Sequence, residues 1–227
     1  MPAARFGLPS PDAGRFCEVR QLPRSLDPGW FDGFRQGALR GIAEVALGDL
    51  KALDAATEAT VIITSRPDAP ELSHLQAAWA IAKWTVARGA TVVLDAEANR
   101  YWSGAEVADW PPNRPLALSS EVNVIVEAEE NSSMASAIHT RGLAKFGRPD
   151  LVTLDVPASR WDAVAGLLRG LALRLVHGAV LRPGDSTPIE GGAAHFAAYG
   201  PDRLHLNNEA LLVTGSDVME SLGDRPR

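Results

Sequence analysis

Residues 138–157 read Ile-His-Thr-Arg-Gly-Leu-Ala-Lys-Phe-Gly-Arg-Pro-Asp-Leu-Val-Thr-Leu-Asp-Val-Pro, and this stretch decides the predicted fold. The helix predicted over its first part carries three adjacent polar side chains, which are His139, Thr140 and Arg141. Gly147 fits the position just after a last helical turn, and Pro149 prevents the helix from resuming. The alternating residues that follow predict a strand over residues 151–156.

The segments on either side of this stretch predict the remaining elements. Short β-branched or alternating apolar runs predict further strands at residues 60–64, 91–95, 122–128, 194–199 and 211–214. Apolar residues at helical spacing predict helices at residues 30–56, 73–89 and 159–178. This order favours an α+β fold with a ferredoxin-like βαββαβ core, in which helices cover one face of a mostly antiparallel sheet, plus a C-terminal helix and hairpin. A small doubly wound sheet is the competing interpretation.

The length of 227 residues suits one large domain or one domain with an appendage. Residues 1–29 are rich in Pro, Gly and Arg without any period, which indicates an extended N-terminal arm. We expect a single α+β domain over residues 30–215. Residues 216–227 form a polar tail that we expect to be disordered.

The composition is that of a soluble globular protein, with 46% apolar and 22% charged residues. The net charge of −6 argues against a nucleic-acid partner, because phosphate binding needs a face rich in Lys and Arg. No run of 18 apolar residues occurs, so we expect no membrane span. The first residues lack the apolar core of a secretion signal, and we therefore expect a cytoplasmic location.

Metal and cofactor motifs are missing from the sequence. Its one cysteine, Cys17, excludes a disulfide within the chain and a cysteine-rich zinc site. None of the five histidines has a second ligand at the spacing of H-E-x-x-H, and neither a phosphate-binding glycine loop nor a serine nucleophile elbow occurs. We expect no metal and no cofactor, although a zinc site assembled from distant histidines stays open.

The polar cluster of the deciding stretch has two interpretations. In the first, His139 lies beside the guanidinium groups of Arg141 and Arg148, and Thr140 completes a binding site for an anion. In the second, His139 is a histidine at the edge of the core that bonds a carbonyl, while Arg141 pairs with an acidic residue of the segment before it, which is Glu127, Glu129 or Glu130. The second interpretation is favoured.

Two tryptophans fall outside the helical spacing of the other apolar residues. Trp102 lies just before the proline-rich segment 104–115, and Trp110 lies within it. They predict an exposed apolar patch, which is typical of a surface that binds a protein partner.

Residues 139–151, together with the run Ala77-Ala78-Trp79-Ala80-Ile81-Ala82, resemble a family of bacterial proteins catalogued as domains of unknown function. In that family a His-Thr-x-Gly-Leu/Met helix ends in a Phe-Gly-x-Pro-Asp/Glu turn. The resemblance covers roughly residues 58–190. It implies a bacterial, cytosolic protein, and it supplies neither an activity nor catalytic residues.

Two functions from different classes follow. The first is a non-catalytic protein-binding or regulatory module of the accessory or immunity type, favoured by the missing catalytic motifs, the acidic charge and the tryptophan-bearing segment. The alternative is a hydrolase or transferase in which His139 acts as general base while Arg141 or Arg148 binds an anionic substrate. Whether the protein is an enzyme stays open, with a non-enzyme favoured.

Overall fold

The computed structural model describes residues 17–64, 72–111, 117–129, 131–190, 192–200, 204 and 206–215. The chain divides into two compact units, residues 1–116 and 117–227. The single domain predicted over residues 30–215 crosses the boundary between them. The predicted tail and the first sixteen residues of the predicted arm lie outside the described residues.

The first unit combines short helices with two small antiparallel sheets. Its described elements are β1 Cys17–Pro23, α1 Pro28–Gly33, α2 Gly37–Leu47, α3 Lys51–Ala55, β2 Glu58–Thr64, α4 Ser73–Val86, β3 Val92–Asp95, β4 Arg100–Ser103 and α5 Gly104–Asp109. Strand β1 pairs with β2 along its whole length, from Cys17 opposite Thr64 to Pro23 opposite Glu58. Residues 17–23 of the predicted N-terminal arm therefore form a strand.

The core of the first unit lies between α2 and the β3–β4 hairpin. Ala43, Leu50, Leu53 and Tyr101 are buried together, and the apolar side of α2 packs against them. The Tyr101 hydroxyl donates to the carbonyl oxygen of Phe34. The helix predicted over residues 30–56 is thus three helices, broken where glycines with positive φ occur at the ends of α2.

The second unit is a six-stranded sheet with one long helix. Its described elements are α6 Leu118–Glu121, β5 Asn123–Glu127, β6 Met134–Arg141, β7 Asp150–Pro157, α7 Trp161–Val176, β8 Ser186–Ile189, β9 Gly192–Tyr199 and β10 Ala210–Thr214. The strand order is β5-β6-β7-β10-β9-β8, and all pairs are antiparallel except β7 with β10. The sheet therefore consists of two three-stranded meanders, β5-β6-β7 and β8-β9-β10, which meet where β7 pairs in parallel with β10.

Helix α7 supplies the buried layer on the sheet. Its apolar residues recur at helical spacing and are buried, namely Val164, Ala165, Leu168, Leu171, Ala172 and Leu175. The indole of Trp161 donates to the carbonyl oxygen of Val156 at 2.9 Å, which fixes the start of the helix on β7. None of the described helices has the length and apolar character needed to cross a membrane.

The helix predicted over the first part of residues 138–157 is wrong, because residues 134–141 form strand β6. This strand pairs with β5 on one side and β7 on the other, and its residues are buried on both faces from Ala137 to Thr140. Alanine-rich sequence favours a helix in isolation, but pairing on both edges overrides that preference. The mixed α+β class with mostly antiparallel sheets is confirmed, whereas the ferredoxin-like core is not.

A close backbone approach in the first unit depends on one glycine. A Cβ atom at Gly104 would lie 2.7 Å from the carbonyl oxygen of Ala90 and 3.2 Å from that of Thr91. The Gly104 amide donates to the Thr91 carbonyl at 2.8 Å, so the two segments cannot separate without losing this bond. Gly41, inside α2, has open space around its Cα.

We expect Gly104→Ala to destabilise the first unit by about 1–3 kcal/mol, because the added methyl group overlaps backbone atoms that cannot rotate away. Gly41→Ala is the matched control, and it should stabilise by up to about 1 kcal/mol through helix propensity. Urea unfolding followed by tryptophan fluorescence measures both variants. Equal effects of the two substitutions would contradict the close approach.

Candidate functional site

The histidine of the deciding stretch is buried on β6. Only 1% of His139 is exposed. Its Nε2 lies 3.0 Å from Oε1 of Glu127 on β5, and its Nδ1 lies 3.2 Å from the carbonyl oxygen of Thr140. The predicted hydrogen bond between this histidine and a carbonyl is confirmed. Because successive strand residues point to opposite faces, the His139 and Thr140 side chains do not share a surface as they would on a helix.

A buried carboxylate lies at the centre of the polar residues. Asp150 begins β7 and is fully buried. Its Oδ1 accepts from the Thr140 hydroxyl at 2.8 Å and from the Leu143 amide at 3.4 Å, and its Oδ2 accepts from the Asn208 side-chain amide at 3.0 Å. The Leu151 amide in turn donates to Oγ1 of Thr140 at 2.8 Å. We call Thr140, Asp150 and Asn208 the Asp150 network.

The protonation of Asp150 reflects its surroundings. Desolvation by burial raises the pKa of this carboxyl above its ordinary value of 3.8, and the hydrogen bonds from Asn208, Thr140 and Leu143 oppose the rise. Burial is the larger effect, so the folded protein favours the protonated form more than the unfolded chain does. A raised pKa can mark a catalytic acid, but it also occurs in structural networks.

The turn after β6 explains the glycines of the stretch. Gly142 has a φ of 107° and Gly147 a φ of 62°, and both are backbone conformations that favour glycine. Between them residues 143–146 make one 3₁₀ turn, in which Leu143 and Phe146 are buried. The turn therefore aims two apolar side chains into the second unit and returns the chain to Asp150.

The lysine of this turn joins a buried ion pair. Nζ of Lys145 lies 2.9 Å from Oε2 of Glu121, with only 8% and 0% of the two side chains exposed. A buried charge that loses its partner is strongly destabilising, so such a pair holds its two segments in one arrangement. The Lys145–Glu121 pair therefore holds the turn of residues 143–146 against α6.

The arginines predicted to bind an anion have structural contacts. Arg141 donates to Oδ1 of Asn207 at 3.0 Å. Arg148 Nε donates to the carbonyl oxygen of Leu175 at 3.3 Å, where a guanidinium stabilises the C-terminus of α7. The contacts described for His139, Arg141 and Arg148 thus lead to different partners, and these three residues have none of the described hydrogen-bond partners in common.

Sequence reasoning missed two members of the Asp150 network. Asp150 follows Pro149 and resembles an ordinary turn residue, and Asn208 lies 58 residues away in a polar segment interpreted as a turn. Asn208 also donates to the carbonyl oxygen of Arg148 at 2.8 Å. A buried network formed across this separation leaves no local spacing signal. Of the three members of the network, the sequence analysis singled out only Thr140, and it did so as part of a possible anion site.

The tryptophans predicted to form an exposed patch lie in an aromatic cluster of the first unit. Trp102 is buried, and Trp110 is partly buried. Their ring centroids are 4.9 Å apart, and Trp79 of α4 contacts both rings edge to face. The predicted exposure of Trp102 is wrong, because α4 brings Trp79 over the hairpin and covers the ring.

Comparison with protein-family models, with curated proteins and with solved structures finds no match to this chain. Within the described residues, no group of three His, Cys, Asp or Glu side chains is placed to hold a metal ion. The function must therefore be inferred from the geometry of the chain itself.

The Asp150 network predicts different outcomes for two buried threonines. Thr140→Val removes a hydroxyl that both donates and accepts, and we expect a loss of about 1–3 kcal/mol in the free energy of unfolding. Thr153, also buried on β7, has no hydrogen-bond partner for its hydroxyl within the described chain. Thr153→Val should therefore be neutral or stabilising. Urea unfolding followed by circular dichroism tests both, and equal losses would contradict the network.

The raised pKa of Asp150 predicts a pH dependence of stability. Since the folded state binds this proton more tightly than the unfolded state, the contribution is full below about pH 3.8 and is lost as the pH rises through the folded pKa. The free energy of unfolding of the wild type, relative to Asp150→Asn, should thus fall with rising pH. Urea titrations at successive pH values measure the difference. A difference that stays constant or rises with increasing pH would show that the fold does not oppose the ionisation of Asp150.

Proposed function

We propose that the chain is a non-catalytic protein-binding module of the regulatory or accessory type. The observation that carries this proposal is that the residues of segment 139–150 build the fold of the second unit. A general base must come within hydrogen-bond reach of the proton it removes. His139 is almost fully buried, and both of its ring nitrogens face protein oxygens. This arrangement supports a structural role and disfavours the hydrolase or transferase alternative.

The surface that supports binding of a protein is not the Trp102–Trp110 segment but one side of α4. Trp84 on α4 is 54% exposed, and the guanidinium carbon of Arg88 lies 3.6 Å from the centre of its ring. Ala80 and Ala87 are exposed beside them. Trp and Arg are the residue types that most often dominate protein interfaces. We call these four residues the Trp84 surface.

The stacking of Arg88 on Trp84 prepares this surface for a partner. A cation–π contact restrains both side chains before binding, which lowers the entropy lost when they are immobilised. The exposed ring offers apolar area and the guanidinium offers a positive charge. We infer that the partner is a protein that presents a carboxylate beside an apolar depression.

The test is affinity capture with the full chain as bait, followed by calorimetry with the purified partner. Trp84→Ala should weaken binding by about 30-fold or more, the equivalent of at least about 2 kcal/mol at an interface hot spot. Leu173→Ala removes an exposed apolar side chain from α7 and serves as the matched control. A partner that binds both variants equally would contradict the Trp84 surface.

The catalytic alternative predicts a different result. Turnover of chromogenic phosphate or acyl esters that disappears in a folded His139→Gln variant would contradict the non-catalytic proposal. We expect no such turnover in the wild type, and we expect His139→Gln to change stability alone.

A further inference from the structure

A polar pocket in the first unit has no role in the functions discussed so far. It has a volume of about 380 Å³. Its lining consists of five charged residues and one neutral polar residue, which are Arg24, Asp32, Arg35, Arg40, Asp54 and Gln36. We call it the arginine pocket. All six residues belong to the first unit, and none belongs to the Trp84 surface.

Short-range chain turns assemble the arginine pocket. Arg24 follows β1, and its amide donates to the carbonyl of Thr57 at 2.8 Å. Asp32 lies in α1, and Arg35 follows that helix, with its amide bonded to the Asp32 carbonyl at 2.9 Å. Arg40 lies in the first turns of α2 and Asp54 in α3. Three consecutive short helices thus direct their charges towards one depression.

Arg35 forms the fixed floor of the pocket. Only 7% of it is exposed. Its Nη1 donates to the carbonyl oxygens of Leu53 at 3.1 Å and Asp54 at 2.8 Å, and its guanidinium lies 5.0 Å from the centre of the Phe31 ring. Burying a guanidinium is costly unless it is paired and hydrogen-bonded, and Asp32 supplies the ion pair. The positive charge at the floor is therefore held in one orientation.

Arg24 and Arg40 form the walls and remain accessible. Their side chains are 45% and 39% exposed. Arg24 pairs with Asp32 at 2.9 Å, and Arg40 pairs with Asp54 at 2.9 Å. Because exposed ion pairs contribute little to stability, these guanidinium groups can exchange their carboxylate partner for another anion at a small cost in free energy.

Basic side chains outnumber acidic ones in the pocket lining, although the chain as a whole is acidic. Three guanidinium groups face two carboxylates among the lining side chains, and Glu44, outside the lining, also pairs with Arg40, at 3.5 Å. Hydrogen bonds from Arg24 and Arg35 lower the pKa of Asp32, and a hydrogen bond from Arg40 lowers that of Asp54.

The start of α2 contributes further positive potential to the pocket. Gln36 is the residue before the helix, and no side chain caps the helix there. The helix has eleven residues, so its first amide groups carry the positive end of its dipole to the rim of the pocket.

We propose that the arginine pocket binds a small molecule bearing a phosphate monoester, with the phosphate between Arg24 and Arg40 above the floor formed by Arg35. The planar guanidinium fork matches phosphate oxygens in pairs of parallel hydrogen bonds. The pocket volume lies in the range of small-molecule sites, of about 300–1,000 Å³, and exceeds what a phosphate group fills. A carboxylate ligand shares this chemistry, and the experiment distinguishes the two.

The test is an NMR titration of the full chain with methyl phosphate and, separately, with acetate, monitored at the arginine Nε–H signals. Methyl phosphate should shift the pocket signals and saturate them. Its dissociation constant should rise about tenfold or more in Arg24→Gln and in Arg40→Gln, as expected for a lost hydrogen bond to a charged group. Arg20→Gln, an exposed arginine of β1 outside the pocket lining, should leave the constant unchanged.

Each other outcome overturns a stated part of the proposal. Equal affinity for acetate and methyl phosphate would overturn the phosphate class. Shifts that fail to saturate, or an equal loss of affinity in Arg20→Gln, would overturn the pocket as a site. Because Arg24 and Arg40 are exposed, both variants are expected to fold, and circular dichroism verifies this. These results do not depend on whether a protein binds the Trp84 surface.

Discussion

The second unit depends on one buried carboxylate at the point where two meanders meet. Asp150 begins β7, lies opposite Ala210 of β10, and accepts hydrogen bonds from the end of β6, from the following turn and from Asn208 before β10. Parallel pairing of strands that lie so far apart in sequence is entropically expensive to establish. The Asp150 network fixes the register of that pairing, because moving either strand by one residue would leave a buried carboxylate without its donors.

The same constraint explains why a stretch that looks catalytic is structural. Thr140 bridges the carboxylate and the Leu151 amide, and Gly142 permits the turn that brings the Leu143 amide to Asp150. His139, one residue earlier, points away from this network to Glu127. A histidine, a hydroxyl and a carboxylate occur together in many active sites, but function requires that they converge on accessible space. Here the three side chains diverge into the protein, His139 towards Glu127 and Thr140 towards Asp150.

Much of the fold was predictable from residue patterns, and the failures have particular physical causes. The strands at β2, β7 and β10 and the helices α4 and α7 follow from apolar periodicity. Strand β6 did not, because its alanines favour a helix until both neighbouring strands are present. Of the site residues, His139 was predicted at the edge of the core, and it is buried because β6 pairs with a strand on each side. Asn208 and Arg35 could not be predicted, because their partners come from other elements, and only the tertiary structure brings them together.

The most direct measurement of the central claim is hydrogen exchange at the amides of Asp150 and Leu151. The first donates to the carbonyl of Glu209 at 2.9 Å and the second to Oγ1 of Thr140 at 2.8 Å. If the Asp150 network holds the two meanders together, both amides exchange only when the second unit unfolds globally, as slowly as the amide of Leu171 inside α7. Much faster exchange through local opening, with α7 still protected, would contradict the account.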